Sequence, residues 1–403
     1  MNILFINANL HGHINPTLGL VKKLTERGNK VSYFCSEPFS QQVTNMGARW
    51  IGFSDKLDLF LKAYCPTDKH PFFMLMEYIL LYDEVVLPEA LNIVKEDLYD
   101  VIICDSIFGG SCFLKQITKI PVVCSHSSFA MSQAPVPKQM LVPGFHPQLD
   151  HCYQILKRIC ESYKIEEPSL EQVFTSKGDL NIVYTTHNFN GDEGVHEPDY
   201  LFAGPSIDRL QESHDVDFSV IGDRKLIYIS LGSLNTDFVD FYKICISAFR
   251  NTDYYVCMSI GRKCAVSQLG EMPSNFLVKN FLPQLEVLKR ADVFITHGGF
   301  NSVNEALYFG IPMLALPLVN DQHMVAKRLV NMELGMTENI KELSPELLRA
   351  RTESLISENK IKENCMQISL EMRKCADLEN TALKFEKYVD TWKERRERNS
   401  VKK

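Results

Sequence analysis

The sequence predicts an α/β protein with two domains, each built on a doubly wound parallel sheet. Short, nearly continuous apolar runs, which are typical of strands covered on both faces, alternate with amphipathic stretches. This alternation stops near residue 204 and begins again at residue 225, and 403 residues exceed one ordinary hydrophobic core. We therefore predict a first domain at 1–205, a linker at 206–222, a second domain at 223–380, and a C-terminal helix and tail at 381–403 that packs back on the first domain.

In the first domain, four apolar runs predict strands, at 2–7, 30–35, 100–105 and 120–125. Between the first two runs, apolar residues recur at helical spacing from Leu18 to Leu24, and Gly28 follows as a C-terminal cap. A strand, a helix and a second parallel strand form the basic unit of a doubly wound sheet.

Two segments interrupt the pattern of the first domain. Residues 70–98 are rich in apolar side chains and predict one or two helices, with Pro88 as a break or a first-turn residue. Residues 130–147 hold four prolines and predict an ordered loop. Loops beside the carboxyl edge of a sheet often line a ligand site.

In the second domain, five further runs predict strands, at 225–233, 254–261, 276–283, 292–299 and 311–317. After residue 340 the sequence is helical, and Ser344 followed by Pro345 is a typical helix start. The basic end KERRERNSVKK is typical of a solvated terminus.

Composition narrows the function. The formal net charge is -7, from 43 basic and 50 acidic side chains, which argues against a nucleic-acid-binding surface. No basic leader precedes an apolar core, and no run reaches the roughly 18 apolar residues that span a bilayer. Twelve cysteines are scattered without a CxxC pair, so we expect buried thiols rather than disulfides or zinc ligands. We expect a cytoplasmic protein that acts on small molecules.

The stretch THGGFNS joins an apolar run to a helical one. Gly298 and Gly299 would let an anion approach the unpaired N–H groups of a helix N-terminus, while His297, Asn301 and Ser302 can donate hydrogen bonds. This pattern predicts a phosphate or diphosphate site. The lysine of a P-loop and the GxGxxG spacing are both missing, so neither an ATPase nor a dinucleotide enzyme is favoured.

Further polar groups flank this junction in a consistent order. Glu305 could accept both hydroxyls of a ribose, and Asp321 and Gln322 suit the hydroxyls of a sugar. Phe281 offers an aromatic face for a base. A tight turn, a solvated helix residue and a helix cap are the ordinary alternatives for single residues, but the order favours a nucleotide-sugar site.

Residues 281–322 resemble the donor-binding signature of the family 1 UDP-glycosyltransferases, written approximately as WxPQ, HxGxNSxxE and GxPxxxxPxxxDQ. The whole chain resembles the bacterial macrolide, antibiotic and flavonoid branch of that family. This resemblance implies the GT-B fold, in which two Rossmann-like domains face each other across a cleft. The acceptor would then bind to the first domain and the donor to the second.

The resemblance also implies roles for individual donor-site residues. Phe281 would stack on uracil, where the family most often has tryptophan, and the backbone of Leu282 and the region of Gln284 would hold the edge of the base. The diphosphate would bind His297, Gly299, Asn301, Ser302 and also Ser233; Glu305 would bind ribose, and Asp321 with Gln322 the transferred sugar.

In the first domain, NANLHGHINP resembles the GHxxP segment of the family, which implies that His13 is the general base. A neutral imidazole can take the proton of an acceptor hydroxyl near physiological pH. His11 is the rival candidate. Asp105, at the carboxyl end of a predicted strand, would orient and stabilise the imidazolium; its alternative role is to cap a helix beginning near Gly110.

These residues predict an inverting, metal-independent transfer of a hexosyl group, glucose first, from a UDP-sugar to a hydroxyl of a lipophilic small molecule such as a flavonoid, phenol or macrolide. The UDP-sugar is a substrate, and we expect no cofactor, no metal, no stable membrane insertion and a monomer. The motif Asp215-Val-Asp217 resembles a metal motif of another glycosyltransferase class but lies in the polar linker. Candidate acceptor-binding residues are Phe72, Phe108, Ser127, Ser128, Phe129 and Met140.

Two alternatives remain open at this point. A UDP-sugar epimerase can share the fold, but it would convert the donor without an acceptor. A catalytically silent sugar-nucleotide-binding protein would keep residues 281–322 and lose the base, so the presence of both His13 and Asp105 argues against it.

Overall fold

The computed structural model describes residues 1–54, 70–207, 216–232, 238–319 and 321–401. The chain divides into two compact units. The first unit comprises Met1–Ser206 and Asp377–Lys403, and the second comprises Ile207–Ala376. Each unit contains one parallel β-sheet flanked by helices, so the predicted fold class is confirmed.

The first unit is built on a seven-stranded sheet with the order β3-β2-β1-β4-β5-β6-β7. Since β1 pairs in parallel with both β2 and β4, the direction of winding reverses between β1 and β4. Ligands of doubly wound proteins bind outside the carboxyl ends of the strands at such a switch point. The strands are β1 (Asn2–Ile6), β2 (Lys30–Cys35), β3 (Arg49–Gly52), β4 (Val101–Asp105), β5 (Val122–His126), β6 (Leu180–Val183) and β7 (Tyr200–Phe202).

Helices cover both faces of this sheet, because alternate strand residues point to opposite sides. Leu4 and Ile6 of β1 belong to one apolar cluster, and Ile3 and Phe5 belong to another on the opposite face. The helices within 1–206 are α1 (His11–Glu26), α2 (Ser40–Asn45), α3 (Pro71–Glu96), α4 (Ser111–Thr118), α5 (Pro147–Tyr163), α6 (Leu170–Thr175) and α7 (His187–Asn190).

Helix α3 corrects one expectation, because it continues through Pro88 without a break. Val86, Leu87 and Ala90, on either side of the proline, are fully buried. Proline removes one backbone hydrogen bond from a helix interior, whereas burial of an apolar face supplies most of the stability of a helix in a protein. Packing of α3 into the core therefore outweighs the local effect of Pro88.

The second unit is built on a six-stranded parallel sheet with the order β10-β9-β8-β11-β12-β13, and its winding reverses between β8 and β11. The strands are β8 (Leu226–Ser230), β9 (Tyr255–Ser259), β10 (Phe276–Lys279), β11 (Val293–Thr296), β12 (Met313–Ala315) and β13 (Gly335–Thr337). The helices are α8 (Val239–Phe249), α9 (Gln284–Leu288), α10 (Phe300–Phe309), α11 (Gln322–Asn331), α12 (Pro345–Ser357) and α13 (Asn359–Cys375). The predicted start of α12 is confirmed, since Ser344 Oγ accepts a hydrogen bond from Leu347 N at 3.1 Å.

The last helix, α14 (Leu378–Val401), belongs to the first unit. Phe385 and Val389 are fully buried in the apolar cluster that also contains residues of α1. On the same side, Arg27 forms ion pairs with Glu379 and Glu386. The N-terminal part of the chain is therefore completed by its C-terminal helix.

Within the described part of the chain, no helix has the length and apolar character needed to cross a membrane. Eleven of the twelve cysteines lie in this part, and all eleven are free thiols, nine of them buried. Cys65 lies outside the described residues.

Candidate active site

A histidine and an aspartate meet at the switch point of the first unit. His13 lies in the first turn of α1, shortly after β1, and Asp105 is the last residue of the neighbouring strand β4. His13 Nδ1 lies 2.8 Å from Asp105 Oδ2. The Asp105 side chain is fully buried, while that of His13 is 14% exposed. Parallel strand pairing thus joins two residues that are 92 positions apart.

This contact defines which imidazole nitrogen can act as a base. A carboxylate only accepts hydrogen bonds, so it favours the tautomer with the proton on Nδ1 and leaves Nε2 of His13 as the basic nitrogen. The other carboxylate oxygen of Asp105, Oδ1, accepts from Ile107 N at 2.8 Å. Asp105 therefore caps a short turn at Ser106–Phe108, not a helix near Gly110, and still faces His13.

Ser127 is a second contact of the His13 ring. It follows β5, the strand next to β4, and its Oγ lies 2.6 Å from His13 Nδ1. Ser127 is buried, so the structure places it against the histidine, whereas sequence reasoning assigned it to the acceptor. Its position directly after a strand that neighbours β4 is the signal that could have revealed this contact.

The other candidate acceptor residues do not share one environment. Phe108 is fully buried and Phe72 nearly so, both in the core of the first unit, and Met140 packs partly buried against the same cluster. Ser128 and Phe129 are partly buried, and the Phe129 ring lies 5.8 Å from that of Phe189.

His11, the rival to His13, is exposed, and its ring packs edge-on against Phe39 at 4.8 Å between centroids. In the part of the chain that the structure describes, the histidine on Asp105 is His13.

In the second unit, three residues connect β11 to α10. Gly298 has a φ of +78°, a conformation that favours glycine. A Cβ added to Gly299 would lie 2.8 Å from His297 Cε1 and closer still to Nε2. Both glycines are therefore required by the backbone path and by the close approach of the imidazole. The N–H groups at the start of α10 form the kind of site that binds anions.

His297 is held between two stretches of backbone. A Cβ on Gly232, which follows β8, would also collide with its ring, at 2.8 Å from Cε1. The Nδ1 atom is enclosed, and a hydrogen bond to the backbone of Ser230 favours the charged ring less than burial disfavours it. Burial lowers the pKa of His297 to about 4. The ring is therefore neutral at physiological pH and can donate a hydrogen bond without carrying charge. Ser233, the next predicted contact, lies outside the described residues.

The Gln284 side chain connects several predicted donor-site residues. Its Nε2 donates to Glu305 Oε2 at 2.7 Å and to Ser302 Oγ at 3.1 Å. Its Oε1 accepts from the hydroxyl of Tyr228 at 3.3 Å. Sequence reasoning missed Tyr228, because an aromatic residue inside an apolar strand is typical of a core position.

Phe281 lies in the loop between β10 and α9 and is 36% exposed, while Leu282 beside it is buried. The guanidinium of Arg262 lies 5.5 Å from the centre of the Phe281 ring. Arg262 was not among the predicted residues, and the sequence carries no signal for this contact between two loops. An exposed aromatic face can stack on a planar base, and the neighbouring cation can contribute to its binding.

The remaining predicted residues lie at the starts of α10 and α11. Gln322 Oε1 accepts from the backbone N–H groups of Leu318 and Val319, at 2.9 and 3.1 Å. The group of Gln322 that can donate to a sugar hydroxyl is therefore its amide nitrogen. Asp321 holds the N-cap position of α11, and Asn301 is partly buried in the first turn of α10.

Of the two aspartates in the predicted linker, the structure describes only Asp217. Asp215 lies outside the described residues, and Asp217 Oδ1 accepts from Ser219 N at 2.9 Å. Asp217 thus caps the short helix that precedes β8.

Comparison with known proteins places this geometry among glycosyltransferases. Residues 211–375 match the family model described as "UDP-glucoronosyl and UDP-glucosyl transferase". The chain is 30% identical over 399 residues to uncharacterized UDP-glucosyltransferase YdhE of Bacillus subtilis (strain 168), covering 96% of this chain and 98% of the relative. It is 27% identical over 386 residues to oleandomycin glycosyltransferase of Streptomyces antibioticus, covering 91% and 87%. The solved structure of the glycotransferase of kitacinnamycin is 26% identical, with a TM-score of 0.83 over 96% of this chain and 98% of that one.

Proposed function

This chain belongs to the UDP-glucoronosyl and UDP-glucosyl transferase family, and from that premise we propose that it transfers a hexosyl group from a UDP-sugar to a hydroxyl of a lipophilic small molecule. The first unit would bind the acceptor and the second the donor. UDP-glucose is the first candidate donor, since Asp321 and Gln322 end the donor motif and YdhE is named a UDP-glucosyltransferase. Flavonoids, phenols and macrolides are the candidate acceptors, and the names of the oleandomycin and kitacinnamycin relatives support a bulky acceptor.

The observation that carries this proposal is the 2.8 Å contact between His13 and the fully buried Asp105. In the proposed reaction, His13 Nε2 takes the proton of the acceptor hydroxyl, whose oxygen attacks the anomeric carbon. The bond between that carbon and the UDP oxygen breaks, and the configuration inverts. Asp105 stabilises the imidazolium that forms, as the aspartate does in a serine-protease triad.

On the donor side, the charge that develops on the leaving diphosphate would meet the N-terminus of α10, the hydroxyl of Ser302, Asn301 and neutral His297. Because these groups supply the stabilisation, we propose a metal-independent reaction. The remaining proposed donor contacts are Phe281, Leu282 and Gln284 for the base, Ser233 and Gly299 for the diphosphate, Glu305 for ribose, and Asp321 with Gln322 for the sugar.

On the acceptor side, the proposed contacts are the candidate residues that remain partly accessible, Ser128, Phe129 and Met140. Ser127 is proposed instead to support the His13 ring, because its hydroxyl lies against Nδ1.

The test incubates the protein and UDP-glucose with phenols, flavonoids and macrolides in the presence of EDTA, and follows the products by mass spectrometry. We expect a glucose adduct from wild type, its loss in His13→Ala, and its retention in the control His11→Ala. UDP binding should be unchanged in both variants, since the proposed donor site lies in the other unit. A product lost with EDTA would contradict metal independence, and UDP binding without any adduct would contradict the transferase.

A further inference from the structure

We propose that Tyr228 is a positioning residue of the donor site. Its hydroxyl fixes the Gln284 amide so that the Glu305 carboxylate is held ready for ribose hydroxyls, and the site thereby selects ribonucleotide over 2′-deoxyribonucleotide donors. This inference rests on the proposed function, because it assigns Glu305 to the ribose of a UDP-sugar.

The orientation of the Gln284 amide follows from the chemistry of its neighbours. A carboxylate only accepts hydrogen bonds, so the amide must turn its NH₂ group toward Glu305 Oε2, 2.7 Å away. The amide oxygen then points the other way and needs a donor, which is the Tyr228 hydroxyl at 3.3 Å. If the amide turned over, its oxygen would face the carboxylate and its NH₂ group would face the phenol. The carboxylate thus sets the orientation of the amide, and the Tyr228 hydroxyl stabilises that orientation by donating to the amide oxygen.

Tyr228 is a rigid donor. Its ring stacks on Phe294 with centroids 4.7 Å apart and an angle of 11° between planes, and the two residues are direct partners in the parallel pairing of β8 with β11. The side chain is almost fully buried. Burial also raises the pKa of the Tyr228 phenol, so the hydroxyl keeps its proton at any working pH.

Glu305 needs such support because it is itself buried, with 3% of its surface exposed. A buried carboxylate is costly unless hydrogen-bond donors surround it. Gln284 supplies one of these donors, and its second N–H reaches Ser302, a proposed diphosphate contact. One amide thus aligns the groups proposed for ribose and for diphosphate through its nitrogen, and the Tyr228 hydroxyl donates to its oxygen.

The test measures the dissociation constants of UDP and 2′-deoxy-UDP by calorimetry for wild type and Tyr228→Phe. Wild type should prefer UDP by about 10-fold or more, because 2′-deoxy-UDP leaves a charged hydrogen bond unmade. Tyr228→Phe should weaken UDP binding about five-fold, as for one lost neutral hydrogen bond, and should weaken 2′-deoxy-UDP binding by less, because only UDP presents the 2′-hydroxyl to Glu305. The control is Tyr255→Phe, a buried tyrosine of the adjacent strand β9, which should keep the wild-type ratio.

Gln284→Met repeats the test from the other end of the hydrogen bond and should also reduce the preference for UDP. Equal weakening of both nucleotides in Tyr228→Phe, or no change in either, would overturn the role of Tyr228 and leave the donor site standing. Failure of wild type to bind UDP would overturn the proposed function together with this inference.

Discussion

Replacement of His297 by asparagine should make the stability of the second unit less sensitive to acid. Burial lowers the pKa of His297 from the usual 6.5 to about 4 in the folded protein. A depressed pKa means that folding favours the neutral ring. The folded protein is therefore fully stable with respect to this residue above pH 6.5 and loses stability as the pH falls toward 4. Between pH 8 and pH 5 the titration of His297 should lower the free energy of unfolding of wild type by at most about 2 kcal/mol. Part of the ring surface remains exposed, which makes the loss smaller.

The assay is hydrogen exchange along a urea gradient at pH 8 and pH 5, read from peptides of β8 and β11. Tryptophan fluorescence would not serve, because Trp50 and Trp392 both lie in the first unit. His297→Asn should lose less stability than wild type between the two pH values. The control is His323→Asn, at an exposed histidine of α11, which should keep the wild-type loss. Equal losses in wild type and His297→Asn would refute the reasoning.

Three further outcomes are expected. Asp105→Asn keeps an oxygen for Ile107 N but removes the carboxylate from His13. The kcat should therefore fall by about 10²-fold or more, while calorimetry shows unchanged UDP binding. An unchanged kcat would contradict the proposed base. Gly299→Ala should weaken UDP binding because its Cβ would displace His297. Gly270→Ala, where a Cβ meets open space but φ is +83°, should lower stability without changing UDP affinity. Equal UDP affinities of the two variants would argue against a role for the close packing of Gly299 on His297. Asp83→Leu removes a buried carboxyl that has no hydrogen-bond partner in the described part of the chain and whose pKa burial raises well above its usual value. A raised pKa destabilises the fold as the pH rises past 3.8. The free energy of unfolding of this variant, measured in urea, should therefore exceed that of wild type by about 1–3 kcal/mol at pH 8 and by less at pH 4. A difference that is independent of pH would contradict a titrating carboxyl.

Much of the fold could be predicted because strand and helix patterns are local. Parallel strands buried on both faces produce apolar runs, and helix starts such as Ser344 depend on a few neighbouring residues. The pairing of His13 with Asp105 could also be predicted, since His13 follows one strand and Asp105 ends another, and the carboxyl ends of both strands lie at one edge of a sheet. Pro88 was misjudged because its local effect on a helix yields to the burial of the whole of α3.

The contacts that sequence could not supply connect distant segments through side chains. Tyr228 reaches Glu305 only through Gln284, and Arg262 reaches Phe281 from another loop. Residue type is a poor guide here, because a tyrosine in a strand and an arginine in a loop are both ordinary. Tertiary packing decides their partners.

The C-terminal helix α14 imposes an order on biosynthesis. The first unit needs α14 for its core, yet the ribosome makes that helix only after the whole second unit. The ion pair of Arg27 with Glu386 can therefore form only after a further 359 residues have been synthesised. The second unit is continuous and can fold as soon as it emerges, whereas the N-terminal segment leaves the ribosome first with one face of its core uncovered. In nascent chains of this protein, the apolar surface that α14 covers thus stays exposed until residues 378–401 have left the ribosome.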